Sequence, residues 1–578
     1  MGRIARETSR SEKFFVPTIW GAIALVLFKL WAIAHLPIHA SLAYHDNLRY
    51  IIRASQLLQG DVPYDGLVLA RQPGYPAFIL ASYHLGIPLR FSQELFYLAA
   101  GVFLGFSLQR WLQAPTLTLV FLSLYSLAPF SFHWNRQTLQ EVIYLPLTAA
   151  LLGSCLNLLK DCHHRRRFLL HSLILGLLLA LFWNTRPEGI SILPPLSLCY
   201  LYIARKQACF RSRTRFIDFA AGPLLSLAPV ILITSALAWS NYLNYGLYNT
   251  YDLKTPGLTA AYSSLQRVSP EQHRRQIAVP EATRRQIYGI SPSFRRLKED
   301  LEIAEDEGWR AASCGLGVCE DYAAGIFFWA VRDAVEAQGF YQSVAETEAF
   351  YWQIAREVNG ACERGWLDCQ PQGRASFIPS LSGDIIGPWL SSSARLAHQL
   401  TRSSLVLRLD SGIEDIALRE QYYQQITREA ADFFQARSEP INQAKDVLIR
   451  GISRLYQLLF PVCLGLGLLG WIWSLSRPNP KLLILAAILL LCILVRLLLV
   501  AYIDVTSWSV GAGDRYLRPL LPALWLLIVI GIQAGQQRWR EGQPSASETV
   551  STYAEWQEYP DETHFNYNPS PAHHSGCL

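Results

Sequence analysis

The sequence predicts an all-α polytopic membrane protein with about ten transmembrane helices. Of its 578 residues, 51% are hydrophobic and only 17% are charged, whereas a soluble protein carries about 25% charged residues. The apolar residues form blocks long enough to cross a bilayer, which takes about 20 residues of helix. The 17 Trp, 27 Tyr and 26 Phe suit a protein with aromatic belts at the membrane surfaces.

The first predicted span covers about residues 14–36 and follows a polar, basic stretch. A signal peptide is the alternative, because residues 40–43 (Ala-Ser-Leu-Ala) resemble a cleavage site. The apolar run is longer than the core of a usual signal peptide, so we predict a retained helix. Cleavage would change the topology by one crossing.

Residues 44–75 are predicted to lie outside the cytoplasm, directly after this span. Apolar and polar residues alternate at helical spacing over residues 51–59, which is typical of a helix on the membrane surface. Residues 60–66 form a predicted turn. The apolar run from Pro76 to Leu85 is too short to span and predicts a second juxtamembrane helix.

Nine further apolar segments complete the predicted bundle. They lie at about residues 91–112, 116–132, 141–159, 168–184, 189–204, 217–240, 453–474, 482–502 and 516–534. With both termini in the cytoplasm, the short inner connections are richer in Lys and Arg than the outer ones, as the positive-inside rule requires. Since no retention signal is seen, we predict a multi-pass protein of a bacterial-type plasma (inner) membrane, with an internal membrane as the alternative.

A polar insertion separates predicted spans seven and eight. The predicted units are an N-terminal membrane module (1–240), the insertion (241–447), a C-terminal membrane module (448–536) and a disordered cytoplasmic tail (537–578). Periodic apolar positions in 322–339, 345–357 and 414–435 predict a mostly helical insertion. The parity of the spans places it outside the cytoplasm.

Four cysteines cluster in the insertion, namely Cys314, Cys319, Cys362 and Cys369. In a domain outside the cytoplasm they predict two disulfides. A zinc site is the alternative, although these spacings are poor for zinc ligands.

Each predicted outer connection of the membrane modules carries an Arg together with an acid. The four groups are Asp46 with Arg49, Arg136 with Glu141, Arg186 with Glu188, and Arg515 and Arg518 beside Asp504 and Asp514. The matching inner connections are merely basic. This asymmetry predicts one site at the outer membrane surface that needs both cations and carboxylates.

Both charges have a use in sugar transfer from a lipid phosphate. Arg presents a planar fork of donors to phosphate oxygens and stabilises charge on a leaving phosphate. A carboxylate accepts the proton of an attacking hydroxyl. No Gly-rich loop that would bind a nucleotide is found, and no nucleic-acid partner or cofactor is predicted. A divalent metal remains open, although no pattern indicates one.

On these motifs the chain resembles the GT-C superfamily of membrane glycosyltransferases, in particular the protein O-mannosyltransferase and aminoarabinose transferase group. The residues 44–47 (Tyr-His-Asp-Asn) occupy the place of that family's catalytic Asp in the first outer loop. The residues 71–76 (Arg-Gln-Pro-Gly-Tyr-Pro) resemble the stretch that follows it, and Arg136 with Glu141 matches an Arg-x4-acid pattern. Where many relatives have a second acid, this chain has Asn47.

The resemblance implies transfer of a sugar from a polyprenyl-phosphate donor, with inversion, to an acceptor hydroxyl of a lipid, glycan or protein. It implies Asp46 as the base. The residues expected to bind the donor phosphate are Arg136, Arg71, Arg186, Arg515 and Arg518, and those expected to bind substrate are His45, Arg49, Tyr75, Glu141 and Glu188. Asp46 and Arg136 are expected to face each other where lipid headgroups meet water.

Other functions remain open at this point. A polymerase or ligase acting on diphosphate-linked glycans would use the same arginines. A lipid or glycan transporter would need polar residues along both halves of its path, whereas the acid and Arg pairs lie only on the outer side. A non-catalytic scaffold would act through the insertion. Lys29 and Arg496 lie within apolar spans, where a charge is costly and often functional.

Overall fold

The protein is helical throughout the part of the chain that the structure describes. This computed structural model describes residues 2–38, 44–60, 62–207, 212–270, 274–371, 381–409, 424–428, 439–507 and 514–541, without the side chains of 2–15, 44–45, 424 and 514. Within these ranges no β-strand is formed, and an isolated bridge joins Val268 to Cys369. The all-α prediction is confirmed for these residues.

The N-terminal membrane module consists of ten α-helices. They are α1 (Gly2–Ile33), α2 (Tyr44–Gln59), α3 (Gly74–His84), α4 (Leu89–Leu112), α5 (Pro115–Ser126), α6 (Ser131–Trp134), α7 (Glu141–Asp161), α8 (Arg165–Trp183), α9 (Leu193–Lys206) and α10 (Arg213–Tyr245), with a 3-10 helix at Pro187–Ile192. Helices α2 and α3 are the two short helices predicted in the first outer loop.

Nine described helices follow in the insertion. They are α11 (Pro256–Arg267), α12 (Glu281–Ile290), α13 (Pro292–Arg295), α14 (Lys298–Leu301), α15 (Gly308–Gly315), α16 (Ala324–Ala337), α17 (Val344–Glu363), α18 (Gly383–Ser403) and α19 (Gln424–Thr427), with a 3-10 helix at Asp252–Lys254. Helices α16 and α17 match two predicted helices. Most of the third, at 414–435, lies outside the described residues.

The C-terminal membrane module comprises the last four helices. They are α20 (Pro440–Ser474), α21 (Pro480–Thr506), α22 (Asp514–Leu517) and α23 (Leu521–Glu541), with a 3-10 turn at Arg518–Leu520. The predicted disordered tail lies almost wholly beyond these residues.

Eight helices of the described chain are long and apolar enough to cross a membrane. The third and sixth predicted spans instead correspond to the shorter helices α5 and α9, of 12 and 14 residues. Helix α7 is buried along its whole apolar stretch. In contrast, only 17% of the apolar stretch of α10 and 22% of the apolar stretch of α20 are buried by other parts of the protein. These apolar outer faces suit contact with lipid. The protein is therefore an integral membrane protein, and the count of ten stays a prediction.

Helices α20 and α23 approach each other through glycines. A Cβ on Gly470 would overlap the carbonyl oxygen of Gly531, and one on Gly535 would lie 2.9 Å from the Cα of Gly470. Small residues of this kind allow close backbone contact between membrane helices. The two helices therefore pack backbone against backbone.

The insertion has its own hydrophobic core, which packs against the first outer loop. The core includes Leu258, Phe327 and Ile354, and Tyr64 of the outer loop packs against it. The Tyr64 ring stacks on that of Tyr341 at 5.7 Å. The insertion thus contacts the loop that carries Asp46.

Candidate functional site at the outer ends of the spans

Asp46 lies in the first turn of α2 between two arginines from distant parts of the chain. Its Oδ1 accepts a hydrogen bond from Arg71, and its Oδ2 lies 3.4 Å from Nη1 of Arg515. All three side chains are about one-quarter exposed (22%, 22% and 24%). A partly open carboxylate held between two guanidinium groups can contact a ligand from outside.

A second group of charges adjoins this one. Arg515 Nε lies 3.7 Å from Oε1 of Glu141, and the same oxygen accepts a hydrogen bond from Arg186. Arg186 also donates two bonds to Glu188, at 2.9 and 2.7 Å. The pair of Arg186 and Glu141 is almost fully buried, at 4% and 3% exposure. We name the six residues Asp46, Arg71, Glu141, Arg186, Glu188 and Arg515 the outer charge cluster.

The outer charge cluster contains a residue from each of the four outer connections of the sequence. Two of these connections come into close backbone contact at a glycine. Gly74 donates from its backbone nitrogen to the carbonyl of Asn184 at 2.9 Å, and a Cβ at Gly74 would lie only 2.6 Å from Oγ1 of Thr185. The stretch bearing Arg71 therefore lies directly against the stretch bearing Arg186.

Arg496 lies beside this cluster, although the sequence indicated it only as a charge in an apolar span. It is 4% exposed. Its Nε donates to the carbonyl of Tyr516 at 3.0 Å, and its guanidinium lies over the ring of Tyr144. The ring of Tyr516 in turn lies 5.0 Å from the guanidinium carbon of Arg186. The sequence feature that could have identified Arg496 is its charge within an apolar span, because such charges are costly and often functional.

The surrounding charges set the acidity of Asp46. Burial would raise the pKa of this carboxyl, but the positive charges of Arg71, Arg515 and Arg49 outweigh burial and lower the pKa to about 2. Asp46 is therefore ionised at neutral pH. It is also a weak base until a negative ligand draws charge from the arginines.

This pKa predicts that any activity requiring ionised Asp46 stays constant as the pH falls from 7 to 4. A carboxylate whose folded pKa is lowered contributes stability above its unfolded pKa of about 3.9, and that contribution is lost as the pH falls through about 2. The measurement is kcat/KM against pH, which reports groups of the free enzyme. An acidic limb near pH 5 that vanishes in Asp46→Asn would contradict the lowered pKa.

The remaining arginines predicted to bind phosphate lie elsewhere. Arg136 is 2% exposed and donates to the carbonyls of Phe132 and Pro37, at 2.8 and 3.1 Å. Its charge acts on Lys29 and Glu94. These contacts join Arg136 to α6 and to the chain just after α1, and a position facing Asp46 stays a prediction. Arg518 is 5% exposed, and its guanidinium lies 4.1 Å from the ring of Trp134.

Of the residues predicted to bind substrate, Tyr75 is packed in the protein interior, and the side chain of His45 is not among those described. Tyr75 is fully buried, with its hydroxyl donating to Gln93 at 2.5 Å and its ring edge against Tyr50. The side chain of His45 lies outside the described residues. Lys29, the other intramembrane cation, is fully buried and donates to Oγ of Ser131 at 2.7 Å.

Helix α16 of the insertion reaches the residues around Asp46. Arg49 pairs with Asp333 at 2.9 Å, and the Arg71 guanidinium lies 4.0 Å from the ring centre of Trp329. One turn further along, Glu336 accepts a bond from the backbone nitrogen of Gly66 at 3.0 Å. Sequence reasoning did not connect Asp333 and Trp329 with the first outer loop, since nothing local relates them to Arg49 and Arg71 far earlier in the chain.

The cysteines of the insertion form two disulfides, Cys314–Cys319 and Cys362–Cys369. Among the described residues, no group of three or more His, Cys, Asp and Glu is placed to hold a metal ion.

A separate cleft of about 730 Å³ lies where the insertion meets the outer end of α21. Its lining includes Arg274, Arg275, Arg395 and Asp504. Asp504 accepts from Ser392 at 2.6 Å and pairs with Arg395 at 2.5 Å. Asp504 thus binds α18 of the insertion to the membrane module rather than joining the outer charge cluster.

Comparison with known proteins adds little to this picture. No protein-family model and no curated protein matches the chain. A solved structure that aligns with it is the crystal structure of ArnT from Cupriavidus metallidurans bound to undecaprenyl phosphate. The alignment covers 95% of this chain and 81% of that chain, at 12% sequence identity and a TM-score of 0.30. At that TM-score the likeness carries no argument about fold or function.

Proposed function

We propose that this protein is an integral membrane glycosyltransferase, which moves a sugar from a polyprenyl-phosphate donor to an acceptor hydroxyl outside the cytoplasm. The observation that carries the proposal is the placement of the Asp46 carboxylate between Arg71 and Arg515 at the outer ends of apolar helices. This contact supports the proposal because a carboxylate can accept a proton and the two neighbouring guanidinium groups can bind a phosphate. The lipid chain of the donor would remain in the bilayer, beside helices whose apolar faces are uncovered.

The proposed reaction is a single displacement. The acceptor oxygen bonds to the anomeric carbon while the bond from that carbon to the phosphate oxygen breaks, and the configuration inverts. The acceptor proton passes to Asp46, and the phosphate leaves on the lipid with the electron pair and an additional negative charge. Arg71 and Arg515 would stabilise this charge as it develops, which lowers the barrier more than equal binding of substrate would.

Donor binding would also make Asp46 a better base. In the free protein Arg71 and Arg515 bind its carboxylate and hold its pKa at about 2. A phosphate that takes over these guanidinium groups reduces their effect on Asp46, because an opposite charge nearby is what lowers a carboxyl pKa. The arrangement therefore links proton acceptance to the presence of donor.

Among the predicted phosphate ligands, the geometry favours Arg71 and Arg515, with Arg186 as their neighbour. Arg186 is already bound by Glu141 and Glu188. A phosphate role for Arg136 or Arg518 stays a prediction. The acceptor of the proposed reaction is a hydroxyl of a lipid, glycan or protein.

The test is binding of a short-chain polyprenyl phosphate to the full-length protein in lipid nanodiscs. Since a hydrogen bond to a charged group contributes about 1.5–3 kcal/mol, we expect Arg71→Ala and Arg515→Ala each to weaken binding about tenfold or more. Arg296→Ala, which alters an exposed Arg of the insertion, is the matched control and should bind normally. Failure of the wild-type protein to bind, or equal binding by all variants, would refute the proposal.

A further inference from the structure

Helices α15 and α16 of the insertion place two tryptophans and a carboxylate beside the outer charge cluster. Asp333 accepts from Arg49 and from Nε1 of Trp309, both at 2.9 Å and both at its Oδ2. The rings of Trp309 and Trp329 are nearly parallel, at 21°, with centres 6.4 Å apart. Both tryptophans are half-buried. We name Trp309, Trp329 and Asp333 the insertion wall.

Charged side chains of the insertion wall and of the residues around Asp46 include atoms that make no hydrogen bond, although Oδ1 of Asp333 lies 3.8 Å from Nη1 of Arg332. The buried atoms Nη1 of Arg49, Nε of Arg71, Oδ1 of Asp333 and Oε2 of Glu141 have no hydrogen-bond partner in the described structure. More than about 90% of buried polar groups in proteins are paired, so a local group of unpaired ones requires an explanation. Two of these atoms belong to donor groups and two to acceptor groups.

This mixture identifies the chemistry of the missing partner. A phosphate offers only acceptors and would satisfy the arginines, but not the carboxylate oxygens. A sugar hydroxyl both donates and accepts, so a polyhydroxylated ring can satisfy both kinds of atom. Its C–H faces are apolar and can pack on aromatic rings, in the way that small-molecule sites combine aromatic walls with a few polar groups.

A role in folding explains the insertion wall less well. The pair of Arg49 and Asp333 is 17% and 27% exposed, and partly exposed ion pairs contribute only about 0–1 kcal/mol. The insertion core includes Phe327, Phe328 and Val331, whereas Trp309 only packs against its edge. The polar edge of the wall faces arginines of the first outer loop rather than this core.

We propose that the insertion wall binds the sugar carried by the donor lipid. This inference rests on the proposed function, since it assigns to the same site the part of the donor that Arg71 and Arg515 do not hold. Asp333 accepts from sugar hydroxyls, and Trp309 and Trp329 pack against the ring. The insertion then selects the sugar, while the membrane module binds the phosphate and supplies the base.

The experiment compares lipids with and without a sugar. The probes are a short-chain polyprenyl phosphate and the same lipid carrying glucose, mannose, galactose or an aminopentose, titrated into the full-length protein in nanodiscs. For at least one sugar, we expect wild-type binding about tenfold tighter than that of the bare lipid. Trp309→Ala and Asp333→Asn should remove most of this gain, yet leave affinity for the bare lipid within about twofold.

Two further variants make the outcome decisive. Trp352→Ala, at an exposed tryptophan of α17, should keep the full gain from the sugar. Trp309→Phe keeps an aromatic ring without the Nε1 donor and serves if the alanine variant fails to fold. If the bare lipid binds through Arg71 but no sugar adds affinity, or if the wall variants keep the gain, this inference is overturned and the proposed function stands. If the wild-type protein does not bind the bare lipid, both this inference and the proposed function are overturned.

Discussion

Replacing Asp46 by Asn should lower the rate of sugar transfer by about 10²–10⁴-fold, the usual contribution of a general base. The amide keeps the shape of the carboxylate but cannot take up the acceptor proton. Removal of the carboxylate also ends the ion pairs of Arg71 and Arg515 with position 46, while Arg515 keeps its contact with Glu141. Binding of polyprenyl phosphate should therefore stay the same or tighten, so that the loss falls on kcat rather than on KM. Initial rates over a range of donor concentrations would separate the two parameters.

The matched control for Asp46→Asn is Glu305→Gln. It removes one negative charge from the outer side at a side chain that is 67% exposed, and transfer should be unchanged. Full transfer by Asp46→Asn at normal expression would exclude Asp46 as the base. A weaker affinity for the bare lipid phosphate would instead indicate that Asp46 orders the arginines.

Replacing Arg186 by Met should destabilise the protein by about 3–5 kcal/mol, the typical cost of breaking a buried ion pair from one side. Arg186 is 4% exposed and binds two carboxylates, Glu141 and Glu188. Without the guanidinium, Glu141 is left buried, and its remaining counter-charge among the described residues is the more distant Arg515. The free energy of unfolding in denaturant, or the midpoint of thermal unfolding in detergent, would measure the loss.

A second substitution tests whether the destabilisation comes from the uncompensated charge. Glu141→Gln removes that charge, so the double variant Arg186→Met/Glu141→Gln should recover part of the lost stability. Arg165→Ala is the control, because its pair with Asp218 is 70% and 44% exposed and such pairs contribute about 0–1 kcal/mol. If Arg186→Met were as stable as Arg165→Ala, the buried pair would not hold the outer connections together.

The sequence alone predicted which outer connections meet, because the signals for this are local. Apolar runs reveal membrane helices, and the first outer loop was predicted with its two short helices. Four outer connections carry acids and arginines, and the structure draws members of all four into contact. That step needed only the rule that ends of antiparallel spans on one side of a membrane are neighbours.

The contacts themselves were not predictable from the sequence. Arg136 and Arg71 both lie in outer connections, yet Arg136 donates to the backbone carbonyl of Pro37 and Arg71 binds Asp46. The direction of a loop side chain depends on backbone angles that hydrophobic periodicity does not report. Arg49 and Asp333 are 284 positions apart, and a contact at that separation leaves no local pattern.

The contact of α20 and α23 through Gly470 and Gly531 has a consequence for chemistry far from it. Arg515 lies 16 positions before Gly531, which is about 24 Å along a helix at 1.5 Å per residue. The helix α20 begins where the chain leaves the insertion. Where two backbones touch, the helices cannot slide without collision, so their far ends keep a constant offset. The spacing between Arg515 and the insertion is thus set deep within the helix bundle, by residues that have no side chain.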